Sequence, residues 1–131
     1  MTPHDVWELV LLNSVEEDAP LWQILWDMNC TFPDVAPEER RRAAGEAVIA
    51  MTEAGLVELG WGTLFAGAVT PVAVDDPHRV VEQDDMWTPV DNHARTVLAN
   101  ATSFGRECFQ RPDGKAVLEA IFTAGRGSDE T

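Results

Sequence analysis

Residues 37–59 read PEERRRAAGEAVIAMTEAGLVEL, and this stretch decides which fold we expect. A proline followed by two glutamates suits the start of a helix, since carboxylates in the first turn complement the helix dipole. Small and apolar residues then recur at helical spacing, at Ala44, Ala47, Val48, Met51 and Ala54. Gly55 can take the left-handed conformation that ends a helix, with Leu56 packing back on Met51. We therefore predict a helix over residues 37–54 that runs directly into a short strand.

Capping signals and periodicity predict two helices ahead of this stretch. The first begins after Thr2, since Pro3 suits the first helical position and Asp5 can complete a capping box with Thr2. The second begins near Pro20, and its apolar residues follow helical spacing at Leu21, Ile24, Leu25 and Met28. Together with the helix described above, these two form the predicted helical core.

Two further helices are predicted after the central stretch. The sequence Thr88-Pro89-Val90-Asp91 repeats the start signal of the first helix and predicts a helix over about 89–103. The last helix follows a turn at Pro112-Asp113-Gly114. Its apolar face consists of Val117, Leu118, Ile121 and Phe122.

Short strands are predicted between these helices. The first covers residues 56–59 and should end at Gly60-Trp61-Gly62, because glycine weakens a strand. Further candidates are residues 64–74, 79–82 and 106–111. The expected fold is α+β and mainly α, with several helices, a small antiparallel sheet and an inserted helix. We assign residues 1–123 to a single domain and residues 124–131 to a flexible tail.

The charge balance limits the partners that we expect. The 131 residues include 9 basic and 23 acidic side chains, which give a formal net charge of −14 at pH 7. Such a field repels nucleic acid and anionic membranes at long range, although a local basic patch can persist. The N-terminal residues lack a basic segment followed by an uninterrupted apolar run, so we predict neither a signal peptide nor a membrane span. The predicted location is the cytoplasm.

Motifs for enzyme chemistry are absent from the sequence. It contains no glycine-rich phosphate loop, no nucleophile elbow and no zinc-binding pattern. Cys30 and Cys108 could form at most one bridge, and we expect both to be reduced, packed thiols. The three histidines, His4, His78 and His93, lie far apart in the sequence. We therefore predict a protein that is not an enzyme and that needs no metal or cofactor.

An acidic segment lies between residues 75 and 85. It contains Asp75, Asp76, Glu82, Asp84 and Asp85, with His78 among them. Carboxylates of this kind bind hard cations, but the segment lacks the ligand spacing and the central glycine of an EF-hand loop. We expect a solvated acidic loop here.

Two segments resemble the winged helix-turn-helix superfamily. Residues 38–59, EERRRAAGEAVIAMTEAGLVEL, are similar to the recognition-helix region of MarR-like and PadR-like regulators, in which a helix ends at a glycine and runs into the first wing strand. Residues 107–122, ECFQRPDGKAVLEAIF, resemble the closing strand, turn and C-terminal helix of those families. The resemblance implies a winged-helix-like domain over residues 1–123. The chain departs from the family between residues 60 and 105, where a wing has only a short hairpin.

The resemblance also implies residues that contact DNA. A recognition helix presents the side chains at its N-terminus to base edges in the major groove. At that position this sequence has Arg40, Arg41 and Arg42, with Glu38, Glu39 and Glu46 around them. The alternative interpretation is a solvated helix face on which Glu38 pairs with Arg41 or Arg42. A DNA-binding regulator of this kind is expected to be a homodimer, because palindromic half-sites need two copies.

Two functional hypotheses follow. The first is a small acidic interaction module for a protein partner, expected to be basic, because aromatic anchors on an acidic surface suit such a partner. The residues assigned to this interaction are Trp22, Trp26, Trp61, Asp75, Asp76, Asp84, Asp85 and Trp87. The second is a sequence-specific transcriptional regulator that binds DNA through Arg40, Arg41 and Arg42. One lysine against eight arginines indicates a GC-rich genome, that of a bacterium or its phage.

Overall fold

The computed structural model describes residues 1–64, 72–91 and 93–129. The helices that it contains are α1 (Pro3–Glu16), α2 (Leu21–Thr31), α3 (Pro37–Glu53), α4 (Pro77–Val81), α5 (Ser103–Gln110) and α6 (Gly114–Asp129). The strands are β1 (Ala19–Pro20), β2 (Val57–Gly62), β3 (Val72–Ala73) and β4 (Thr96–Ala101). A 3-10 turn covers Asp84–Trp87. The fold is α+β and mainly α, which confirms the predicted class.

The four strands form one antiparallel sheet in the order β1-β4-β2-β3. β4 pairs with the whole of β2, from Val57 opposite Ala101 to Gly62 opposite Thr96. The two residues of β1 pair with the other side of β4, and β3 pairs with the outer edge of β2. β2, which follows α3 directly, thus pairs with β4, which lies much later in the chain. Residues 63–95 connect these two strands, and we call this connecting segment the excursion.

The predicted starts of the first two helices are confirmed. The Thr2 hydroxyl accepts a hydrogen bond from the N–H of Asp5 at 3.2 Å, and the Asp5 carboxylate accepts one from the N–H of Thr2 at 3.0 Å. This is the predicted capping box. The bond from the N–H of Thr2 stabilises the carboxylate and is the main reason that the pKa of Asp5 lies below its usual value. α2 begins directly after Pro20.

The predicted end of α3 is also confirmed. Gly55 is left-handed with φ of +76°, and its N–H donates to the carbonyl of Thr52 at 3.1 Å. The N–H of Leu56 donates to the carbonyl of Met51 at 2.9 Å, which completes a Schellman motif. The chain then enters β2 directly. This strand continues through Gly60-Trp61-Gly62 instead of ending there, because these residues pair with β4 on one side and partly with β3 on the other.

The hydrophobic core lies between α1, α2, α3 and the sheet. Its largest fully buried side chains include Leu11, Leu21, Ile24, Met28, Met51 and Leu56. Burial of each large aliphatic side chain stabilises the fold by about 1.5–3 kcal/mol. Two polar side chains of α1 are buried with them. Asn13 donates to the carbonyl of Leu9 at 2.9 Å and Ser14 donates to that of Val10 at 2.8 Å, so both have partners.

The C-terminal turn and helix are confirmed. The N–H of Gly114 donates to the carbonyl of Arg111 at 3.1 Å across the predicted turn, and α6 begins at that glycine. Leu118 is buried, and Phe122 stacks on Trp7 of α1 with ring centres 4.0 Å apart. The predicted apolar face therefore packs α6 against α1.

The helix predicted over about 89–103 is wrong. Residues Thr96–Ala101 form β4, within the sheet. Asp91 does not cap a helix: its carboxylate accepts from the N–H of His93 at 2.8 Å, as in an Asx turn. The apolar residues match a helical period, but a strand that is covered on both faces also has a nearly continuous apolar run. The β-branched residues at its start favour the strand.

Two predicted strands are helices instead. Most of residues 106–111 belong to α5, and most of residues 79–82 belong to α4. Each helix has an N-terminal cap of its own. The Thr102 hydroxyl accepts from the N–H three residues later at 3.0 Å, and the Asp76 carboxylate does the same at 3.3 Å. The helix predicted over about 89–103 includes Thr102, and a residue inside a helix cannot cap the start of another one. The sequence prediction therefore gave no cap for α5.

The excursion between β2 and β4 contains β3, α4 and the 3-10 turn. β3 falls inside the strand predicted at 64–74, of which residues 65–71 lie outside the described residues. The helix inserted between β2 and β4 is α4, not the one predicted over about 89–103. At the other end of the chain, residues 124–129 are helical where a flexible tail was predicted, and residues 130–131 lie outside the described part.

α5 approaches the end of α3 so closely that a glycine is required. The carbonyl of Leu56 accepts from the N–H of Thr102 at 3.0 Å, and the carbonyl of Gly55 accepts from the Thr102 hydroxyl at 2.6 Å. A Cβ added to Gly105 would lie 2.0 Å from the Leu56 carbonyl oxygen, where the atoms overlap. The missing side chain therefore allows this joint between α3, β4 and α5.

We expect Gly105→Ala to destabilise the fold by about 3 kcal/mol or more, because the added methyl group meets backbone that cannot rotate away. Gly55→Ala is the matched control. Nothing lies within 4 Å of its added Cβ, so only the left-handed backbone is penalised, by about 1–2 kcal/mol. Urea unfolding followed by circular dichroism measures both losses. A loss for Gly105→Ala no larger than that for Gly55→Ala would contradict the close approach.

Candidate functional site

The three arginines at the start of α3 do not act as a group. Arg40 turns back toward the end of α2, where its guanidinium donates to the Asn29 side chain at 2.8 Å. It also donates to the carbonyls of Phe32, Pro33 and Val35 at 3.1, 3.3 and 2.6 Å. These bonds satisfy backbone groups in the link between α2 and α3. Arg40 therefore stabilises the link between α2 and α3. The N–H groups that it uses for this purpose are the donors that a contact with DNA would need.

Arg41 packs against the excursion between β2 and β4. Its guanidinium lies 4.4 Å from the ring centre of Trp87 and donates to the carbonyl of Val81 at 2.8 Å. Asp84 lies 3.6 Å from the same guanidinium. Burial lowers the pKa of Arg41 below its usual value, and Asp84 partly offsets this effect. These contacts hold α4 and the 3-10 turn against α3.

Trp87 is a core residue, which corrects its assignment to a partner interface. Only 4% of its surface is exposed. Its indole N–H donates to the carbonyl of Val81 at 2.8 Å, the same carbonyl that Arg41 contacts. With its N–H bonded and Arg41 stacked on its ring, Trp87 has no face left for a partner.

The solvent side of α3 is acidic. Its exposed glutamates are Glu38, Glu39, Glu46 and Glu53. Arg42 is the most accessible of the three arginines, with 66% of its side chain exposed, and lies 3.9 Å from Glu39. Along the fully described α3, the predicted pairing of Glu38 with Arg41 or Arg42 is replaced by this contact. The start of α3, which the resemblance assigns to DNA, thus carries the exposed Glu38 and Glu39 beside one accessible guanidinium, and carboxylates repel phosphate.

Two predicted interaction residues, Trp22 and Trp26, share a shallow groove on α2. Trp26 exposes 62% of its surface. Trp22 is half-buried, and its indole nitrogen is buried without a hydrogen-bond partner in the described part of the chain. The groove has a volume of about 440 Å³, and Asn13 donates to the carboxylate of Asp27 at 3.0 Å along its edge. An exposed indole beside a groove is the kind of residue that anchors interfaces.

The other predicted interaction residues lie on different elements. Trp61 is half-buried on β2, and the guanidinium of Arg95 lies 5.1 Å from its ring centre. Four aspartates are exposed around α4 and the 3-10 turn: Asp75, Asp76, Asp84 and Asp85. Asp76 also caps α4, and Asp84 lies near Arg41. Two of the four aspartates therefore also have a structural role.

A larger groove, which the sequence does not predict, runs between α1, α3 and α6. It has a volume of about 710 Å³ and is lined mainly by apolar residues, among them Val6, Trp7, Ala47, Ala50, Ile121 and Phe122. Glu39, Glu46 and Glu53 lie along its α3 side. These glutamates recur every seven residues, a signal that was present in the sequence. What the sequence did not show is that α1 and α6 provide the opposite wall.

The two cysteines lie in different surroundings. Both are free thiols, but only Cys108 is packed as predicted, whereas Cys30 is exposed. Burial and the nearby Glu107 carboxylate raise the pKa of the Cys108 thiol. Within residues 1–64, 72–91 and 93–129, no three His, Cys, Asp or Glu side chains lie close enough to hold a metal ion. Those residues also include no helix with the length and apolar character needed to cross a membrane.

We expect Arg41→Ala to lower the free energy of unfolding by about 1–3 kcal/mol, because it removes a partly buried charged hydrogen bond and the stacking on Trp87. Arg42→Ala is the matched control and should change it by less than about 0.5 kcal/mol, since Arg42 has only an exposed ion pair. Urea titration of both variants gives the values. Equal effects would show that Arg41 is not structural.

We expect Cys30 and Cys108 to react with a thiol reagent at very different rates. Cys30 is exposed, whereas Cys108 is buried and less ionised, so labelling of Cys108 in the folded protein should be at least about tenfold slower. Absorbance with Ellman's reagent follows both reactions, and Cys30→Ser identifies them. Denaturant should make the two rates similar. Equal rates in the folded protein would contradict the burial of Cys108.

Comparisons of the chain with protein-family models, with curated proteins and with solved structures found no match. The candidate site is therefore defined by the chemistry of the chain's own residues. Its main features are the acidic face of α3, the exposed Trp26 and the groove between α1, α3 and α6.

Proposed function

We propose that this protein is a small acidic interaction module, without enzymatic activity, that binds a basic protein. The observation that carries the proposal is the division of charge on α3. Arg40 and Arg41 are held by contacts within the chain, while the four glutamates of the helix are exposed. Because carboxylates repel phosphate and attract lysine and arginine, this helix suits a basic protein surface better than DNA.

We also propose that the core is winged-helix-like. The support comes from the path of the chain: α3 ends at Gly55, β2 follows at once, and β2 pairs antiparallel with β4. A recognition helix and two wing strands would have this arrangement. Residues 63–95 stand where such a wing has a short hairpin, and within them α4 packs on α3 and the 3-10 turn packs on α2. α4 and the 3-10 turn are thus held against the helices of the core.

Charge and an aromatic anchor have separate roles in the proposed interface. The net charge of −14 accelerates the encounter with a positively charged partner, and added salt weakens this effect. Trp26 then contributes affinity, since large rings buried at the centre of an interface dominate its binding energy. The proposal places the protein in the cytoplasm, where thiols such as Cys30 stay reduced.

We expect the immobilised protein to retain a basic protein from a bacterial lysate at about 150 mM salt. Trp26→Ala should weaken the binding of that protein by about tenfold or more, because it removes the aromatic anchor. Leu12→Ala is the matched control, since Leu12 is an exposed apolar residue on another helix. Fluorescence anisotropy with the purified partner gives the affinities. Equal losses in the two variants would exclude Trp26 as the anchor.

DNA binding is measured in parallel with pooled fragments of GC-rich genomic DNA. We expect no retention of particular fragments at about 150 mM salt, because few cations are available to neutralise phosphates. Saturable retention that Arg42→Glu abolishes would replace the proposal with a sequence-specific regulator, since Arg42 is the accessible arginine of α3. Arg41→Glu is unsuitable for this test because Arg41 stabilises the fold.

A further inference from the structure

We propose that the groove between α1, α3 and α6 binds a cationic amphipathic helix of the partner. The inference rests on the proposed function and goes further, because it names the surface and the local structure of the segment that binds there. Three properties of the groove support it: the shape of its floor, the apolar character of its walls, and the spacing of the charges along one side.

The floor of the groove is shaped for a second helix. Ala43, Ala47, Ala50 and Ala54 line it, and they follow one another at intervals of four, three and four residues. This spacing places them in one stripe along α3, as at the contact positions of two helices packed side by side. Since these side chains are small, an incoming helix can approach the axis of α3 closely.

The walls of the groove supply apolar surface. The half-buried Trp7 comes from α1, with Val6 buried behind it, and the half-buried Ile121 and Phe122 come from α6. The stacked rings of Trp7 and Phe122, 4.0 Å between centres, join the two helices. A helix that inserts its apolar side between this wall and α3 removes apolar surface from water on three elements at once, which is favourable.

The charges along the groove determine the sign of the charge that the partner must carry. Glu39, Glu46 and Glu53 lie seven residues apart beside the alanine stripe, and they span about 21 Å at a rise of 1.5 Å per residue. At this spacing, glutamates form ion pairs with lysines or arginines of a neighbouring helix. The side chain of Glu46 makes no ion pair or hydrogen bond with the described residues. The pairs of the other two, with Arg42 and His78, are exposed and exchangeable.

Other occupants fit these observations less well. A second copy of the chain would place the glutamates of its own α3 against the same glutamates, and like charges at close range oppose association. A compact small molecule would not use acidic groups that extend along about 21 Å of helix. A helix with basic residues at every seventh position matches the length of the glutamate row and carries the opposite charge.

The test uses a synthetic helical peptide of 18 residues, with alanine and leucine on one side and lysine at every seventh position beside it. A peptide with glutamate in place of each lysine is the charge control. We expect the 131-residue protein to bind the lysine peptide at about 150 mM salt, and to bind the glutamate peptide at least tenfold more weakly. Fluorescence anisotropy of labelled peptides measures both affinities, and circular dichroism measures the helix content of each peptide.

Three variants locate the binding site. Glu46→Lys reverses the unpaired charge and should weaken lysine-peptide binding at least tenfold, whereas Glu58→Lys makes the same charge change on β2 and should alter it less than twofold. Ala50→Phe places a ring in the groove at a partly exposed position and should also weaken binding at least tenfold. Urea unfolding checks that each variant is folded. Since Glu46 is exposed, Glu46→Gln offers a milder charge change if Glu46→Lys does not fold.

Each other outcome would overturn the inference in a recognisable way. Equal weakening by Glu46→Lys and Glu58→Lys, with no effect of Ala50→Phe, would mean that only the net charge attracts the peptide. Absence of peptide binding, or equal binding of both peptides, would exclude a cationic helix at the groove. Sedimentation that shows a dimer dissociated by Ala50→Phe would assign the groove to a second copy. None of these results affects the experiment in which Trp26→Ala is tested against the recovered partner. A wrong assignment of the groove can therefore be distinguished from a wrong proposed function.

Discussion

The joint at the end of α3 is the constraint on which the rest of the structure depends. Gly55 leaves the helix in a left-handed conformation, and its carbonyl and that of Leu56 both accept hydrogen bonds from Thr102. Thr102 lies just after β4 and caps α5, so one residue ties three elements together. The absence of a side chain at Gly105 permits this approach. With α3 and the end of β4 held at one point, β2 lies beside β4, and the residues between the two strands must pack elsewhere.

The place where those residues pack determines the charge of the exposed helix face. The sequence of α3 is nearly balanced, with three arginines and four glutamates. The fold changes that balance, because the excursion brings Val81 and Trp87 to Arg41, and the link between α2 and α3 occupies Arg40. The glutamates have no comparable internal partners and remain at the surface. A helix that resembles a DNA-reading element in sequence therefore presents carboxylates to its surroundings.

Elements whose signals are local could be predicted, and elements defined by distant contacts could not. α1 and α3 were predicted from a capping box and a terminal glycine, which act within a few residues. β4 was mistaken for a helix because its apolar run fits either structure, and its pairing with β2 decides between them. α4 is an intermediate case: Asp76 caps it locally, but its helix is only five residues long and ends in two β-branched valines. For the candidate site, the sequence assigned Trp26 and Trp87 alike to a partner interface. Only the structure distinguishes the exposed Trp26 from the buried Trp87 and shows the groove between α1, α3 and α6.

By itself, the sequence determined the α+β class, the excess of negative charge and the boundaries of the best-capped helices, because composition, periodicity and capping act locally. It also contained the seven-residue spacing of Glu39, Glu46 and Glu53. The tertiary structure alone decided which arginine is accessible, which tryptophan is exposed and which helices face that glutamate row. These properties depend on groups brought together from distant parts of the chain, as when Arg41 meets a carbonyl forty residues away. Such contacts have no local signature, because burial and pairing are set by the whole fold.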